Sequence, residues 1–536
     1  MLSLVIISAQ AFTLLHRPTT LRSVPFAIHN TRAPTTVLVE QSEVIPGEGA
    51  TTPVPKALPP EAPSTKTLAK FALPALALWL SGPLLSLVDT SAVGLSALPG
   101  AGATQIAALG PACTFCDGSI YLFAFLNVAT TNLYASARAD AERAGGGSSD
   151  GTQAVVRRAA KVALSCSAVL VPLLLLSAKS LLALYVGPAA AANPALMNPA
   201  TTYIFIRCLS FPASLLGGVL TAALLGAKDS VTPLIATAAA TVTNIVLDLI
   251  GVSVLGYGLA GAAAATLVAQ WVCALVLLAR SRTVLFGGQG LSLAPAWVRR
   301  LRSATAATEV ATVPTGKFLV FAAPVLCLIL GKIAAYGFLT HAAAGLGAVP
   351  LAAHQISLTL FFFLTPFLEV ISQTAQTFLP SFGAPPPEAD PSEWRTASDR
   401  LATRLLGYAV LVSSGAAAIA AAVPIAGTQF LTNDPTVRLA VRPLAGPLAI
   451  STFLSGPMMA AEGVLLARRQ LKFLALVYLV TTALLPPALI AVKNRGGPVV
   501  RVWLCFAAFN FCRTAVFGLR VWGRQLLEGV VGKKAV

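Results

Sequence analysis

The sequence predicts an all-α polytopic membrane protein, with twelve transmembrane helices in two pseudo-symmetric six-helix halves. Three observations predict it. Of the 536 residues, 56% are hydrophobic and 11% charged, against roughly 25% charged in soluble domains, so the polar surface of an ordinary soluble enzyme is missing. Apolar stretches of about 20 residues, the length that crosses a bilayer, recur along the chain. Lys and Arg fall on alternate loops between those stretches, the asymmetry that orients membrane helices.

The first 66 residues read as an address. Residues 1–11, MLSLVIISAQA, form a short apolar stretch ending in small residues, as in a compact signal peptide. Ser8-Ala9-Gln10-Ala11-Phe12 resembles the cleavage motif of plastid-destined proteins in algae with secondary plastids. From Phe12 to Val39 there is no acidic residue, while His16, Arg17, Arg22, His29 and Arg32 sit among Thr and Pro, the acid-poor composition of a transit peptide. Residues 40–66 are rich in Pro, Glu and Thr, too polar to bury a core. The alternative reading is a merely disordered N-terminus.

Twelve spans follow, near 71–95, 111–136, 160–186, 202–226, 231–254, 258–280, 317–341, 350–378, 402–430, 440–466, 471–492 and 499–522. Polar faces at a 3.6-residue period are absent from nearly all of them, which argues against a soluble helical core. Spans one to six make an N-terminal half over 67–281. Residues 282–316, with Arg282, Arg299, Arg300 and Arg302 among Gly and Ser, read as a linker. Spans seven to twelve make a C-terminal half over 317–525, and 526–536 is a tail. The halves echo each other, since Ala222 to Ser230 aligns with Glu462 to Gln470 at an offset of 240, the internal symmetry common in transporters.

With the start of span one inside, the inside loops hold Arg138, Arg143, Arg157, Arg158 and Lys161, then Lys228, the linker arginines, Arg395, Arg400 and Arg404, and finally Arg468, Arg469 and Lys472. The first four outside loops, near 96–110, 187–200, 255–257 and 342–349, hold no Lys or Arg. Both termini are therefore expected inside, on the stromal side of a plastid envelope. The net charge of +17 thus orients helices instead of implying a nucleic-acid partner. The bilayer itself is the expected partner, and the chain is expected to act as a monomer.

Ionisable residues inside spans are costly and mark function by default. The candidates are Asp89, Lys179, Arg207, Asp248, Lys332, Glu369 and Glu462. Lys179 lies near a span edge, where it can snorkel to the interface, and Arg207 lies near a span start. Asn244 and Asp248 are four apart, on one face of span five, where an amide can bond a carboxyl or share a cation with it. A carboxyl in apolar surroundings is costly as an anion, so Asp89 and Asp248 could load and release protons; the bland alternative is a pair of polar residues that only lock helices together. Pro74 and Pro83 interrupt span one upstream of Asp89 and permit a hinge there.

Four stretches carry a family resemblance: Gly82-Pro-Leu-Leu-Ser-Leu-Val-Asp89-Thr-Ser-Ala-Val-Gly94, Leu126-Asn-Val-Ala-Thr-Thr-Asn-Leu133, Gly226-Ala-Lys-Asp-Ser-Val-Thr-Pro-Leu234, and Ala352-Ala-His-Gln355 followed by Glu369-Val-Ile-Ser-Gln-Thr-Ala-Gln376. With them the sequence resembles the multidrug and toxic compound extrusion (MATE) family, in its DinF-like branch, which includes plant plastid-envelope members. The resemblance implies two six-helix lobes in a V around a central cavity. It implies a proton network in the N-terminal lobe, at positions matching Asp89, Tyr203, Asn244, Asp248 and Thr266. Lys332, Glu369, Gln373 and Glu462 are candidates for the C-terminal side of a substrate cavity, the charged three as substrate contacts or as an interhelical ion pair, which Glu369 and Lys332 could form across neighbouring spans.

The expected function is a secondary antiporter exporting small organic compounds, anionic or aromatic among the options, driven by protons, with Na⁺ the alternative coupling ion. No cofactor, metal site or catalytic residue is expected. A lipid or lipid-linked precursor flippase is the rival transport class. A membrane-embedded enzyme is the rival outside transport, but the Asp clusters that would hold Mg²⁺ and a diphosphate are missing, as is a His-Glu-x-x-His pattern. Cys113-x-x-Cys116 and His354 read as packing residues.

Overall fold

The computed structural model describes residues 58–96, 102–143, 150–186, 191–288, 291, 315–383, 385, 389–430, 435–494 and 498–532. The address up to residue 57 and most of the linker lie outside them. Side chains of residues 83–107, Pro83 and Asp89 included, are also outside the described set, although both residues fall within the first helix.

Among the described residues every regular element is helical. α1 (Thr65–Ser96), α2 (Gly102–Tyr121), α3 (Ala124–Arg143), α4 (Asp150–Val186), α5 (Pro194–Cys208), α6 (Phe211–Gly226), α7 (Val231–Asp248) and α8 (Gly258–Phe286) come first. α9 (Thr315–Ala344), α10 (Ala348–Phe378), α11 (Pro391–Ala426), the short α12 (Pro435–Val441), α13 (Ala445–Ala467), α14 (Leu471–Asn494) and α15 (Val499–Gly532) follow. Among the described residues nine helices are long and apolar enough to cross a membrane, or ten if α5 and α6, bent by 51°, form one span. The protein is a multi-pass membrane protein, and Leu176, Val169 and Leu411, each at least 70% exposed, present the apolar surface that lipid solvates.

Two expectations about the spans need correction. Span two, expected as one helix over 111–136, is two helices broken at Leu122 and Phe123. Its halves run beside the two halves of span four, α2 against α5 and α3 against α6, so the breaks match. Span four begins at Pro194, behind an Asn193 cap whose side chain accepts from the Ala195 amide, and Arg207 therefore lies well inside the span, next to its bend, not near its start. Most helices also outrun the apolar stretch, because polar first turns such as Asp150 to Arg158 and Pro391 to Arg400 continue the helix beyond the bilayer.

The internal repeat is present, at an offset of 241, not 240. α6 ends with Lys228 in the left-handed region (φ 65°), its amide donating to Leu225 and the Asp229 amide to Leu224. α13 ends with Arg469 at φ 55°, its amide donating to Leu466 and the Gln470 amide to Leu465. The same capping pattern on non-glycine residues fixes the register more sharply than alignment of Ala- and Leu-rich helices can.

The halves meet at the end of the bundle that carries the basic loops. There Asn132 donates to the Gln376 side chain at 2.7 Å, Thr377 to the Leu225 carbonyl at 3.2 Å, and Lys228 to Ser381 at 3.3 Å. Arg143 donates to the Pro380 carbonyl at 3.2 Å. Arg404 donates to the Pro63 carbonyl at 2.5 Å, and the Thr65 hydroxyl lies 2.8 Å from that of Tyr408. Phe71 and Phe378 pack edge to face at 5.5 Å. Lys228, in the loop after α6, has its pKa lowered chiefly by burial, with Glu142 opposing. A cavity of about 570 Å³ lies in this seam, bounded by Glu61, Arg143, Lys228 and Trp394.

Candidate functional site

Span five supplies the first cluster. α7 is α-helical up to Asp248 and then turns π-helical over Leu249–Val254, a widening often found at functional positions. The turn fits because two glycines let the backbones of spans five and six close up: a Cβ on Gly261 would stand 2.9 Å from the carbonyl carbon of Gly251. Asn244 and Asp248 are fully buried one turn apart, and Thr266 of α8 is 4% exposed. The Asn244 amide donates to the Thr266 hydroxyl at 3.3 Å, and that hydroxyl donates to the Ala262 carbonyl. Three of the five sequence-predicted coupling residues are thus on one pair of facing helices. Asp89 has its backbone in α1, which packs against α7 and the π turn.

Tyr203 is placed differently. It is buried in a second apolar core with Phe115, Ile204, Phe211 and Ala262. Its hydroxyl lies 2.9 Å from the Cys113 sulfur and accepts from Arg207 Nη1 at 2.9 Å. Arg207 Nη2 donates to Asp117 Oδ1 at 2.8 Å.

In the C-terminal half, Lys332 of α9 donates to Glu462 Oε1 at 2.8 Å. Tyr478 of α14 donates to Glu462 Oε2 at 2.5 Å. Arg513 of α15 stands 3.5 Å from the same oxygen, donates to the Tyr478 hydroxyl, and covers the Tyr478 ring with its guanidinium 3.9 Å from the centroid. Lys332 therefore pairs with Glu462, while Glu369 acts on it through space. Two cations face two carboxylates, a balance that makes burial of Glu462 and Arg513 tolerable beside the partly buried Lys332 and Glu369. Gln373, one turn beyond Glu369, is buried, and its amide nitrogen makes no hydrogen bond among the described residues. Pro74 lies half-buried inside α1.

The structure adds residues that the sequence reading did not single out. Asp117 and Arg513 are ionisable groups inside apolar stretches, visible to the same listing of charges that found Arg207 and Lys332. Tyr121 had no such signal. It lies on α2, half-exposed, yet within electrostatic reach of Lys332, Glu369 and Glu462 of the other half. Tyr336 of α9 packs on Phe362 at 4.9 Å and Phe506 at 5.8 Å. An aromatic wall with a few convergent polar groups is the usual make-up of a small-molecule site. His354 is a packing residue, fully buried, 3.1 Å from the Thr340 hydroxyl and against Trp503. Among the described residues no group of His, Cys, Asp and Glu could hold a metal.

Comparison with known proteins agrees with this architecture. Residues 74–250 match the family model described as MatE. Over 471 residues, 86% of this chain and 78% of the relative, the sequence is 31% identical to Protein DETOXIFICATION 47, chloroplastic, of Arabidopsis thaliana. It is 31% identical over 244 residues, 44% of this chain and 48% of the relative, to DNA damage-inducible protein F of Escherichia coli (strain K12). Among solved structures, a MATE protein in its straight conformation superposes with a TM-score of 0.68 at 17% identity, covering 87% of this chain and 97% of that one. An outward-facing multidrug resistance MATE transporter of the MOP superfamily gives 0.67 at 16% identity, covering 87% and 96%.

Proposed function

The chain belongs to the MATE family of transporters, not to any enzyme class, and on that premise we propose that it is an antiporter that exports small organic compounds against a flow of protons. The observation that carries the coupling is the buried Asn244, Asp248 and Thr266 set beside a π turn. A carboxyl group with no solvent exposure, on a helix whose regular bonding changes at the next residue, can alter helix packing when it gains or loses its proton. α1, packed on that turn and containing Pro74 and Pro83, is the helix whose bend would respond.

Cross-lobe bonds at the basic end suit the state that receives protons on the far side. Protonation would change the α1 to α7 packing and release substrate there; deprotonation on the basic side would reset the site. Each proton moving down the membrane potential contributes about 2.3 kcal/mol per 100 mV. Na⁺ in the same site is the alternative driver. The chloroplastic relative supports a plastid membrane, and the basic loops support termini on its stromal side.

The test is uptake into proteoliposomes under an imposed pH gradient, with and without a Na⁺ gradient. Wild-type protein is expected to respond to the proton gradient and Asp248→Asn to lose that response. Full gradient-driven transport by Asp248→Asn would sink the coupling assignment, and a response to Na⁺ alone would replace the proton.

A further inference from the structure

The cavity of about 570 Å³ in the seam shares no lining residue with either buried cluster, and its walls come from both halves. Arg143 and Lys228 belong to the N-terminal half; Phe378, Ser381, Phe382 and Trp394 belong to the C-terminal half. The two cations converge on one turn, Leu379–Phe382. Arg143 donates there to the Pro380 carbonyl at 3.2 Å, and Lys228 to the Ser381 hydroxyl at 3.3 Å. Each also faces a ring, with Lys228 Nζ 5.4 Å from the Phe378 centroid and the Arg143 guanidinium 6.0 Å from that of Trp394.

Negative charge is scarce around them. Arg143 pairs with Asp140 at 3.1 Å, but that carboxylate is 68% exposed, so water screens it. Lys228 makes no ion pair among the described residues, and the carboxylate that acts on it through space, Glu142, is taken by Arg138 at 2.8 Å. Trp394 is 4% exposed, and its indole N–H has no acceptor among the described residues, which is costly. Two cations and an unanswered donor from two halves suit a phosphate monoester, which carries about −1.5 to −2 charge and three strong acceptor oxygens; a carboxylate offers two oxygens in one plane. The Phe378, Phe382 and Trp394 rings supply apolar area for the rest of the molecule. We propose that the seam cavity binds an organic phosphate through its phosphoryl oxygens, on Lys228, Arg143 and the Trp394 N–H. Because the walls belong to both halves, the bound molecule favours the state in which they touch, and by linkage it holds the basic end shut. The site is a brake on the transport cycle, distinct from cargo and coupling ion.

Two sources of the monoester are tested on the purified full-length protein. Phenyl phosphate, titrated calorimetrically into protein in phosphatidylcholine nanodiscs, is the soluble probe, and nanodiscs doped with phosphatidic acid present the same group from the bilayer. Either source is expected to raise hydrogen-exchange protection over Leu379–Phe382 about tenfold. Lys228→Gln is expected to weaken phenyl phosphate binding about thirtyfold or more, the effect of losing one partner of a desolvated charge pair. Trp394→Phe keeps a ring and removes the N–H, and is expected to weaken binding about tenfold, one hydrogen bond to a charged group. A melting curve of each variant reports folding. Should Lys228→Gln fail to fold, Trp394→Phe, which gives up no bond of the free protein, decides alone.

No phenyl phosphate binding together with unchanged protection in phosphatidic acid overturns the proposal. So does phenyl phosphate binding that Trp394→Phe leaves unchanged, which puts the anion elsewhere, and so does benzoate binding as tight as phenyl phosphate at this site. Protection that falls when the probe binds shows that the ligand opens the seam, and it ends the brake. Protection gained with phosphatidic acid alone, and lost in Lys228→Gln, upholds the site and makes the bilayer its source. Phenyl phosphate binding that follows Lys228 and Trp394, without proton-driven uptake in proteoliposomes, leaves the site standing and removes the export reading.

Discussion

At the ends of α6 and α13 the two halves repeat one backbone to the hydrogen bond, yet the helices beside those caps bury opposite chemistry. At the offset of 241, Asn244, Asp248 and Thr266 correspond to Leu485, Leu489 and Ala507, all three buried. Conversely, Glu462, Tyr478 and Arg513 correspond to Thr221, Thr237 and Val272, none of them charged. The comparison separates what folding needs from what it does not. Leucine and alanine fill the same frame in one half, so packing alone does not call for an amide, a carboxyl and a hydroxyl in the other. The C-terminal cluster is of another kind. Its charges neutralise one another across four helices, and each depends on the rest.

The largest expected effect is therefore on stability, in the C-terminal half. Glu462→Gln leaves Lys332 and Arg513 without their shared carboxylate and is expected to cost about 3–5 kcal/mol, read as a lowered melting temperature of the purified protein. Asn244→Leu, which installs the other half's residue, removes one hydrogen bond and is expected to cost only about 1 kcal/mol while abolishing the response to a pH gradient. Equal melting of the two variants would break the contrast between lobes.

A smaller effect concerns the frame itself. In both halves a glycine closes the crossing between the second and fourth spans. A Cβ on Gly463 would stand 2.6 Å from the Ser372 carbonyl oxygen and 2.7 Å from its Cα, whereas one on Gly226 would stand 2.9 Å from the Thr131 carbonyl oxygen. Gly463→Ala is expected to destabilise by about 1–3 kcal/mol, the usual range for overpacking, and Gly226→Ala by less. Chemical denaturation in detergent ranks them, and the reverse order would show that the C-terminal crossing is the looser one.

The smallest effect lies where the halves touch. Gln376→Leu removes the bond from Asn132 and is expected to loosen the seam by about 1 kcal/mol, read as roughly fivefold lower hydrogen-exchange protection over Leu379–Phe382. Unchanged protection would mean that the seam is held by its apolar contacts alone.

Much of this was legible in the sequence because a bilayer imposes one length on every span and one sign on alternate loops. The four-residue spacing of Asn244 and Asp248 already put them on one face. The break in span two left no mark, since Tyr121 to Ala124 offers neither Pro nor Gly, while Ser210 and Pro212 stand at the break in span four, which was read as one continuous span. The one-residue error in the repeat arose because Ala and Leu align with themselves in any register, and only the left-handed residues at 228 and 469 decide between registers. Lys332 and Glu462 are 130 positions apart, and nothing local in either helix says that they meet. The choice between Glu369 and Glu462 as its partner needed three-dimensional packing.

The bonds that join Pro63 and Thr65 to Arg404 and Tyr408 make the start of the first helix part of the inter-lobe contact. Those two residues stand at the threshold of the first membrane helix, and they fasten the start of one lobe to the other. A peptidase that trimmed the chain beyond Thr65 would remove both fastenings in a single cut. A chain that begins after Thr65 would therefore be latched less firmly than the full one, and the two would open at different rates with identical membrane helices.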